Sequence, residues 1–269
     1  VKVYRCPLYV PNEPTTLTRL LHLISFAFSS FFVLLRLLFW RPHIVFVVEP
    51  TLFCTPMALL YARLTRAKIV LHIQDYEIDA MFGLGLMSQG VLGRIAKACE
   101  KWLMRRFDRV STISNSMMNL AQAKGVAKEK VVFFPNWVDT NFISPSADSQ
   151  FFRRKWQIAD NIRVVLYSGN MGKKQGLELV LDAAERFKDK KDVLFLMVGQ
   201  GAACAELQAM AQSKQLLNVR FEPLQPYNEL PMLLALADIH LVIQKMGAAD
   251  VVLPSKLTGI LSVGGHALI

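Results

Sequence analysis

The sequence predicts an α/β protein built from two Rossmann-like domains with doubly wound parallel sheets. Short apolar, β-rich runs recur along the 269 residues, with helical patterns between most of them. Most of these runs are continuously apolar rather than alternating, which is typical of parallel strands covered on both faces. Alternating strands and helices predict βαβ units, and the chain length suits two such domains.

Each half of the chain contributes four predicted strands, at 44–48, 68–73, 109–113 and 131–134, then at 164–167, 193–198, 219–222 and 239–243. The predicted helices cover 51–64, 88–106, 115–123, 175–187, 202–214 and 227–236. Pro, Asn, Asp and Ser cluster between Pro135 and Gln150, which we interpret as a hinge. The predicted domains are therefore 1–145 and 146–269.

Both ends of the chain read as strands. Val1–Tyr4 opens on a strand pattern, and Ala267–Ile269 reads as the start of another. From this pattern we expect a fragment of a longer protein, with material missing at both ends.

Composition limits the classes of partner. The net charge of +10 suits phosphorylated substrates, anionic lipid headgroups or nucleic acid. No nucleic-acid-binding module is recognisable, so we expect no nucleic-acid partner. The four cysteines, Cys6, Cys54, Cys99 and Cys204, are scattered without C-x-x-C spacing. We predict reduced core residues in a cytosolic protein, and neither a disulfide nor a metal site.

The most informative local pattern is a glycine-rich turn that carries two lysines. Gly169, Asn170, Lys173 and Lys174 lie between a predicted strand and a predicted helix. Such a turn presents backbone N–H groups to an anion, and the lysines would favour a diphosphate. Taken alone, the pattern is equally compatible with a solvated turn that binds nothing.

Two more patterns support anion binding in the second half. Gly199 and Gly201 follow the next predicted strand, and open parallel sheets bind ligands at that edge. Ser255, Lys256 and Leu257 open a helical pattern after Pro254, with Ser255 as a possible cap. A lysine in the first turn of a helix interacts unfavourably with the helix dipole, so a nearby anion would account for Lys256. A lysine that is simply solvated is equally common.

In the first half, polar residues follow an apolar strand. His72, Asp75 and Glu77 would lie at the carboxyl edge of the first sheet. Asp75 could there accept a proton, or a hydrogen bond from a sugar hydroxyl. A capping or loop role is the alternative, and we favour it slightly for Glu77.

A membrane surface is a further candidate partner. The basic side chains Arg94, Lys97, Lys101 and Arg105 are spaced along a predicted helix whose apolar face holds Leu92, Ile95, Cys99 and Trp102. Such stripes are usually only solvated faces. The apolar stretch 20–35, too short to span a bilayer, shifts the interpretation towards peripheral contact with an anionic membrane.

Several motifs occur together in one order: Pro135-Asn136-x-Val138-Asp139, Gly169-Asn170-Met171-Gly172, Val198-Gly199-x-Gly201, Pro226-Tyr227-x-Glu229-Leu230, Ala237-Asp238-Ile239 and Pro254-Ser255-Lys256-Leu257 with Gly264. In this order the chain resembles a retaining GT4 glycosyltransferase of the GT-B fold, closest to the bacterial colanic-acid, fucosyltransferase-like branch. The resemblance implies two Rossmann-like domains that face each other across a cleft.

The resemblance also implies site roles. Gly169 with Lys173 or Lys174 would approach the diphosphate of a nucleotide sugar, Gly199–Gly201 its base or ribose, and Ser255 and Lys256 its leaving phosphates. No metal would be needed. Asp75 would serve the acceptor side, and the acceptor would be a lipid-linked saccharide on the cytoplasmic face of the inner membrane. GDP-fucose is a donor by analogy with the branch.

One departure from the family pattern concerns two glutamates. Many GT4 members carry two glutamates separated by seven residues near the donor, and counting back from Gly264 places Val251 and Gly259 there. Because these glutamates are absent, one alternative is a GT-B protein that binds a nucleotide sugar but has lost catalysis. A second alternative is a GT-B sugar-nucleotide epimerase. We expect the 269 residues alone to be inactive or nearly so.

Overall fold

The structure, a computed structural model, describes residues 2–11, 16–49, 52–76, 78–79, 82, 90–172, 175–243 and 255–269. The described chain divides into two units, one up to Pro135 and the other from Asn136. The sequence prediction placed the domain boundary after residue 145. Each unit holds a parallel sheet with helices between its strands.

The first unit contains a four-stranded sheet in the order β1-β2-β3-β4. Its strands are β1 (Ile44–Glu49), β2 (Lys68–Ile73), β3 (Arg109–Thr112) and β4 (Val131–Phe133). Its helices are α1 (Thr16–Arg36), α2 (Thr55–Thr65), α3 (Val91–Met104) and α4 (Asn115–Ala123). α4 begins where the Ser114 hydroxyl accepts a hydrogen bond from the Met117 amide, which satisfies one of its free N–H groups.

The second unit contains a five-stranded parallel sheet in the order β7-β6-β5-β8-β9. Its strands are β5 (Arg163–Ser168), β6 (Val193–Val198), β7 (Val219–Glu222), β8 (Ile239–Leu241) and β9 (Ala267–Leu268). Its helices are α5 (Gln150–Trp156), α6 (Glu178–Arg186), α7 (Cys204–Ser213), α8 (Leu230–Ala235) and α9 (Lys256–Ser262).

The central strands of the second unit are buried on both faces, as their continuous apolar runs predict. Val164 and Leu166 of β5 pack with Phe152 and Trp156 of α5 on one side. Tyr167 packs on the other side, in a cluster that includes side chains of α6 and α7. The sheet is therefore doubly wound.

Strand order reverses at β5. The chain runs outward through β6 and β7 on one side of β5, then returns to β8 on the other side. Open parallel sheets bind ligands outside the carboxyl ends of their strands, at the point where strand order reverses. The carboxyl end of β5 is therefore the position where the fold itself favours a ligand.

The structure departs from the sequence predictions in three places. Residues 2–11 form no strand, and helix α5, which begins at the last residue of the predicted hinge, was not predicted. Buried Phe152 and Trp156, one helical turn apart, stabilise α5 although turn-forming residues precede it. The cysteines are not core residues, since Cys99 is exposed and the other three are half-buried. No disulfide joins any of the four.

Helix α1 is longer than the predicted apolar stretch and presents apolar side chains to solvent. Leu21, Ile24, Phe28 and Phe32 are each exposed by more than two fifths of their surface. Among the described residues, no helix combines the length and the apolar character that crossing a membrane requires.

Candidate functional site

The two predicted glycine turns contact each other directly. Gly169–Gly172 follows β5 and Gly199–Gly201 follows β6. The Gly169 amide donates to the Val198 carbonyl at 2.9 Å, and the Met171 amide donates to the Gln200 carbonyl at 2.8 Å. We call these two segments the paired glycine turns. They lie at the carboxyl edge of the sheet, beside the reversal of strand order.

Close backbone approach explains the glycines of the second turn. A Cβ atom on Gly199 (φ +147°) would lie 1.9 Å from the Gly169 carbonyl oxygen. A Cβ atom on Gly201 (φ +156°) would lie 2.5 Å from the Met171 carbonyl oxygen. Since L side chains rarely adopt these backbone angles, only glycine gives this pairing without strain.

Lys256 reaches the paired turns from the first residue of α9. Its ammonium lies 3.9 Å from the centroid of the Tyr167 ring. A Cβ atom on Gly169 would lie 2.7 Å from both Lys256 Cε and Nζ, so the ammonium covers the glycine. In the part of the chain that the structure describes, no carboxylate lies within ion-pair distance of it.

The environment of Lys256 favours loss of its charge. Burial lowers the pKa of the ammonium to about 8, because the surrounding protein replaces water without supplying a counter-ion. Attraction to the face of the Tyr167 ring offsets part of that cost. An anion bound at the paired turns would supply the missing negative charge.

Tyr167 is a site residue that sequence reasoning missed. Its side chain is fully buried, and its hydroxyl donates to the Asn170 carbonyl at 2.7 Å. Burial raises the pKa of this phenol to about 12, so it stays a neutral donor. Tyr167 therefore both holds the first turn and faces Lys256. In the sequence, Tyr167 is a tyrosine near the end of a predicted buried strand. This position is common for ordinary core residues, so it did not indicate a site.

The other predicted donor residues differ in their placement. Lys173, Lys174 and Val251 lie outside the described residues. Ser255 is exposed and its side chain makes no capping hydrogen bond, so the predicted cap is wrong. Leu257 is half-buried against a core cluster that includes Leu234 and Val242, which gives it a packing contact.

Gly259 marks a structural departure from the family pattern. It is buried, and a Cβ atom there would lie 3.3 Å from Leu234 Cδ1. Together with Ile260, it faces the apolar cluster of the second unit. The 3.3 Å distance is shorter than an ordinary van der Waals contact, so a side chain at position 259 would require Leu234 to move. The chain carries no carboxylate at this position.

In the first unit, His72 is buried rather than open to a ligand. Its ring stacks on Phe46, with 5.6 Å between centroids, and its two nitrogens contact Ser111 Oγ and Gln74 Nε2. Burial lowers its pKa, which favours the neutral ring. Asp75 is half-buried and lies two residues after the end of β2. Glu77 lies outside the described residues.

The predicted basic helix corresponds to α3, and three residues of its predicted apolar face are on the surface. Ile95, Cys99 and Trp102 are exposed, whereas Leu103 and Met104 are buried. Arg94 and Lys101 are exposed beside them.

The other two predicted basic residues of this helix have partners. The Lys97 ammonium lies 4.0 Å from the centroid of the Phe82 ring. Arg105 follows the last helical residue and donates to the Lys124 carbonyl at 3.4 Å, so it stabilises the end of α4. Arg94 and Lys101 are therefore the better candidates for contact with an external surface.

The first unit also contains a buried cluster that the sequence did not reveal. Lys124 contacts Glu100 and Asp79, and the Glu100 side chain is fully buried. Their positions are far apart in sequence and their spacing matches no motif, so only the fold brings them together. Among the described residues, no group of three or more His, Cys, Asp or Glu side chains could hold a metal ion.

Comparison with known proteins identifies the family. The glycosyl transferase 4-like domain matches residues 1–137, about half of the chain, and glycosyl transferases group 1 matches residues 148–247. The chain is 53% identical over 272 aligned residues to the putative colanic acid biosynthesis glycosyl transferase WcaI of Escherichia coli K12, with 99% of this chain covered. This chain belongs to the GT4 glycosyltransferase family.

A second curated relative is more distant. The GT4 chain is 26% identical over 193 residues to the probable glycosyltransferase WbjE of Pseudomonas aeruginosa. The matched regions span 67% of the length of WcaI and 47% of that of WbjE.

Solved structures confirm the predicted GT-B fold. HepE of Anabaena, crystallised with UDP and glucose, matches with a TM-score of 0.69 at 19% identity over 95% of this chain and 65% of its own. A glycosyltransferase from Rickettsia africae matches with a TM-score of 0.68 at 13% identity, over 96% of this chain and 64% of its own. At these identities the likeness establishes the fold alone.

Proposed function

We propose that the protein is a retaining glycosyltransferase that moves a sugar from a nucleotide sugar to a lipid-linked saccharide during synthesis of a surface polysaccharide. The observation that carries this proposal is the ammonium of Lys256 over Gly169, at the paired glycine turns and the reversal of strand order. The name of WcaI supports a role in polysaccharide synthesis, and the UDP complexes of HepE support a nucleotide-sugar donor.

In this proposal the second unit stabilises the leaving group. The bond between the anomeric carbon and the β-phosphate oxygen breaks, and its electron pair leaves with the nucleoside diphosphate. An acceptor hydroxyl oxygen bonds to the anomeric carbon, and its proton passes to a phosphate oxygen of the departing nucleoside diphosphate. Lys256, together with those amides of the paired turns that donate to no carbonyl, stabilises the charge that develops on the diphosphate. Such electrostatic stabilisation is usually the largest contribution to rate. The reaction then needs no metal.

The proposed donor is a sugar linked to a nucleoside diphosphate. The candidates are GDP-fucose and a sugar nucleotide that contains UDP. Calorimetry with UDP, GDP and their sugars on the full-length protein tests the donor site, and mass spectrometry of a lipid-linked acceptor tests transfer. No binding of either nucleotide at millimolar concentration would refute the proposal. Transfer that persists in excess chelator would support the metal-free reaction.

A second candidate function is a nucleotide-sugar-binding protein without turnover. The packing of Gly259 against Leu234 favours it, because this chain lacks a carboxylate where many relatives carry one. Nucleotide binding with neither transfer nor hydrolysis of the donor, tested over a panel of acceptors, would establish this alternative.

We further propose that the protein works at the cytoplasmic face of the inner membrane and contacts it through α3. The exposed apolar side chains of Ile95 and Trp102 beside exposed Arg94 and Lys101 support this placement. Helices that present apolar and basic side chains together can lie at the interface of an anionic bilayer.

A further inference from the structure

A buried lysine in the first unit contacts two carboxylates from different segments. Lys124 directly follows α4 and is 4% exposed. Its ammonium contacts the carboxylate of Glu100 on α3 and lies 2.5 Å from Asp79 Oδ2. It also lies 5.1 Å from the centroid of the Tyr76 ring. One side chain therefore joins α3, the end of α4 and the segment that follows β2.

The charges in this cluster depend on one another. Burial raises the pKa of Glu100, and the Lys124 ammonium opposes that shift. Burial, together with the negative charges of Glu49, Glu100 and Asp79, raises the pKa of Tyr76 above its usual range. The Lys124 ammonium thus offsets the charge of the buried Glu100 carboxylate and of the half-buried Asp79 carboxylate. Removing it alone would leave uncompensated charge, which is strongly destabilising.

The contacts of the cluster fix the segment after β2 at two points. Tyr76 is fully buried and its hydroxyl donates to the Met117 carbonyl of α4 at 2.8 Å. Asp79, three residues later, contacts Lys124. Asp75 lies immediately before Tyr76 and two residues after Ile73, which is fully buried in β2. Asp75 therefore belongs to a segment whose path is set on one side by the sheet and on the other by the Lys124 cluster.

We propose that Lys124 is a positioning residue, which acts through Asp79 and Tyr76 to hold Asp75 at the carboxyl edge of the first sheet. This inference rests on the proposed function and on the acceptor-side role that the family resemblance implies for Asp75. Lys124 touches no substrate in this arrangement. Its effect on transfer comes from the geometry of the segment, because displacement of a substrate-positioning group by about 1 Å costs about 100-fold in rate.

The test uses three variants of the full-length protein. Asp79→Asn removes the negative charge that pairs the segment after β2 with Lys124 and leaves the Lys124–Glu100 pair in place. The double variant Lys124→Met with Glu100→Gln removes the ammonium together with one carboxylate, which limits the charge left behind in the core. Lys68→Met is the matched control, because it breaks the exposed Lys68–Asp108 pair at the amino end of the same sheet.

Hydrogen exchange tests positioning independently of activity. In Asp79→Asn and in the double variant, we expect amides 75–79 to exchange at least tenfold faster, with β2, β3 and the second unit unchanged. Lys68→Met should leave these amides unchanged. Unaltered exchange at 75–79 would overturn the proposal. A uniform increase across the whole first unit would also overturn it, because that result indicates a general stabilising role.

Kinetics then separate this inference from the proposed function. We expect Asp79→Asn to lower kcat/KM for the acceptor at least tenfold and to leave the Kd for UDP or GDP unchanged. Unchanged kcat/KM in Asp79→Asn would overturn the positioning role even if the wild-type protein transfers sugar. Absence of transfer by the wild-type protein would refute the proposed function, and the exchange experiment would still decide whether Lys124 orders the segment.

Discussion

The ammonium of Lys256 on α9 lies 3.9 Å from the centroid of the Tyr167 ring on β5. Position 256 is far from position 167 in sequence, yet their contact places a cation above Gly169, where strand order reverses. The cation loses much of its hydration there and is held by an aromatic face. This pair connects the core of the second unit with the site proposed for a diphosphate.

Replacing Lys256 should weaken nucleotide binding selectively. In Lys256→Met we expect the Kd for UDP or GDP to rise roughly 10- to 100-fold, since a hydrogen bond to a charged group contributes about 1.5–3 kcal/mol. Isothermal titration calorimetry measures the change. Lys190→Met is the control, because Lys190 is exposed in the loop after α6. Lys124 would be a poor control, since its loss breaks a buried ion pair. Equal affinity in the wild type and Lys256→Met would exclude Lys256 from the site.

Nucleotide affinity should depend on pH through the same ammonium. The pKa of Lys256 is lowered to about 8, whereas a terminal phosphate ionises near pH 6, that is, about two units lower. The affinity for UDP or GDP should therefore be constant between pH 7 and 7.5 and fall above pH 8, by at most about tenfold per pH unit. Binding should take up protons at pH 8.5, which titrations in buffers of different ionisation enthalpy detect. Lys256→Met should show neither effect.

The stability of the unliganded protein should change in the opposite direction. The folded-state pKa of Lys256, about 8, lies below its ordinary value of 10.5. Between these values the unfolded chain binds more protons, so the contribution of Lys256 to the free energy of unfolding rises with pH. Denaturant unfolding at pH 7.5 and pH 9.5 measures it. The free energy of unfolding of the wild type, minus that of Lys256→Met, should therefore increase between pH 7.5 and pH 9.5. A constant value would contradict the lowered pKa of Lys256.

Gly199 and Gly169, one from each of the paired glycine turns, should respond differently to alanine. In Gly199→Ala the new Cβ atom would meet the Gly169 backbone, which cannot move freely, and φ would be strained. We expect a loss of about 3 kcal/mol or more in the free energy of unfolding. In Gly169→Ala the new atom would meet only the flexible end of Lys256. The part of the stability loss that comes from this clash should therefore vanish when Lys256 is also replaced by alanine.

A double-mutant cycle on Gly169 and Lys256, followed by thermal unfolding, measures that coupling. Additive effects would show that the ammonium does not cover Gly169 in solution. The matching cycle on Gly199 and Lys256 is the control and should be additive, because the predicted clash at Gly199 involves backbone atoms alone.

The sequence predicted most of this fold because local signals agree with burial. The predicted bounds of β2, β6, β7 and α4 match the structure, since each is a strongly patterned segment. Helix α5 was missed because seven residues give a weak periodic signal beside a run of turn-forming residues. The glycine turns were found from their own sequence. Tyr167 was not, because its role depends on a contact with α9 that spacing along the chain does not encode.

The same limit applies to charged residues. Lys124, Glu100 and Asp79 look like ordinary helix or loop residues, and only packing brings them into one buried cluster. Ser255 shows the opposite case: its residue type and position predict a cap, yet its side chain makes no such hydrogen bond. Residue type predicts what a group can do, whereas burial and neighbours decide what it does.

Binding of α3 to an anionic bilayer should depend on both its charge and its apolar side chains. Removal of two cations in Arg94→Gln with Lys101→Gln should weaken binding to vesicles that contain phosphatidylglycerol roughly 30-fold, at about 1 kcal/mol per cation. Trp102→Gln should weaken binding at high salt as well, because apolar burial is not screened. Vesicle sedimentation at low and high salt measures both effects. Lys190→Gln with Lys191→Gln, two exposed lysines of the second unit, is the matched charge control. If both double variants lose binding equally, net charge rather than α3 directs the protein to the membrane.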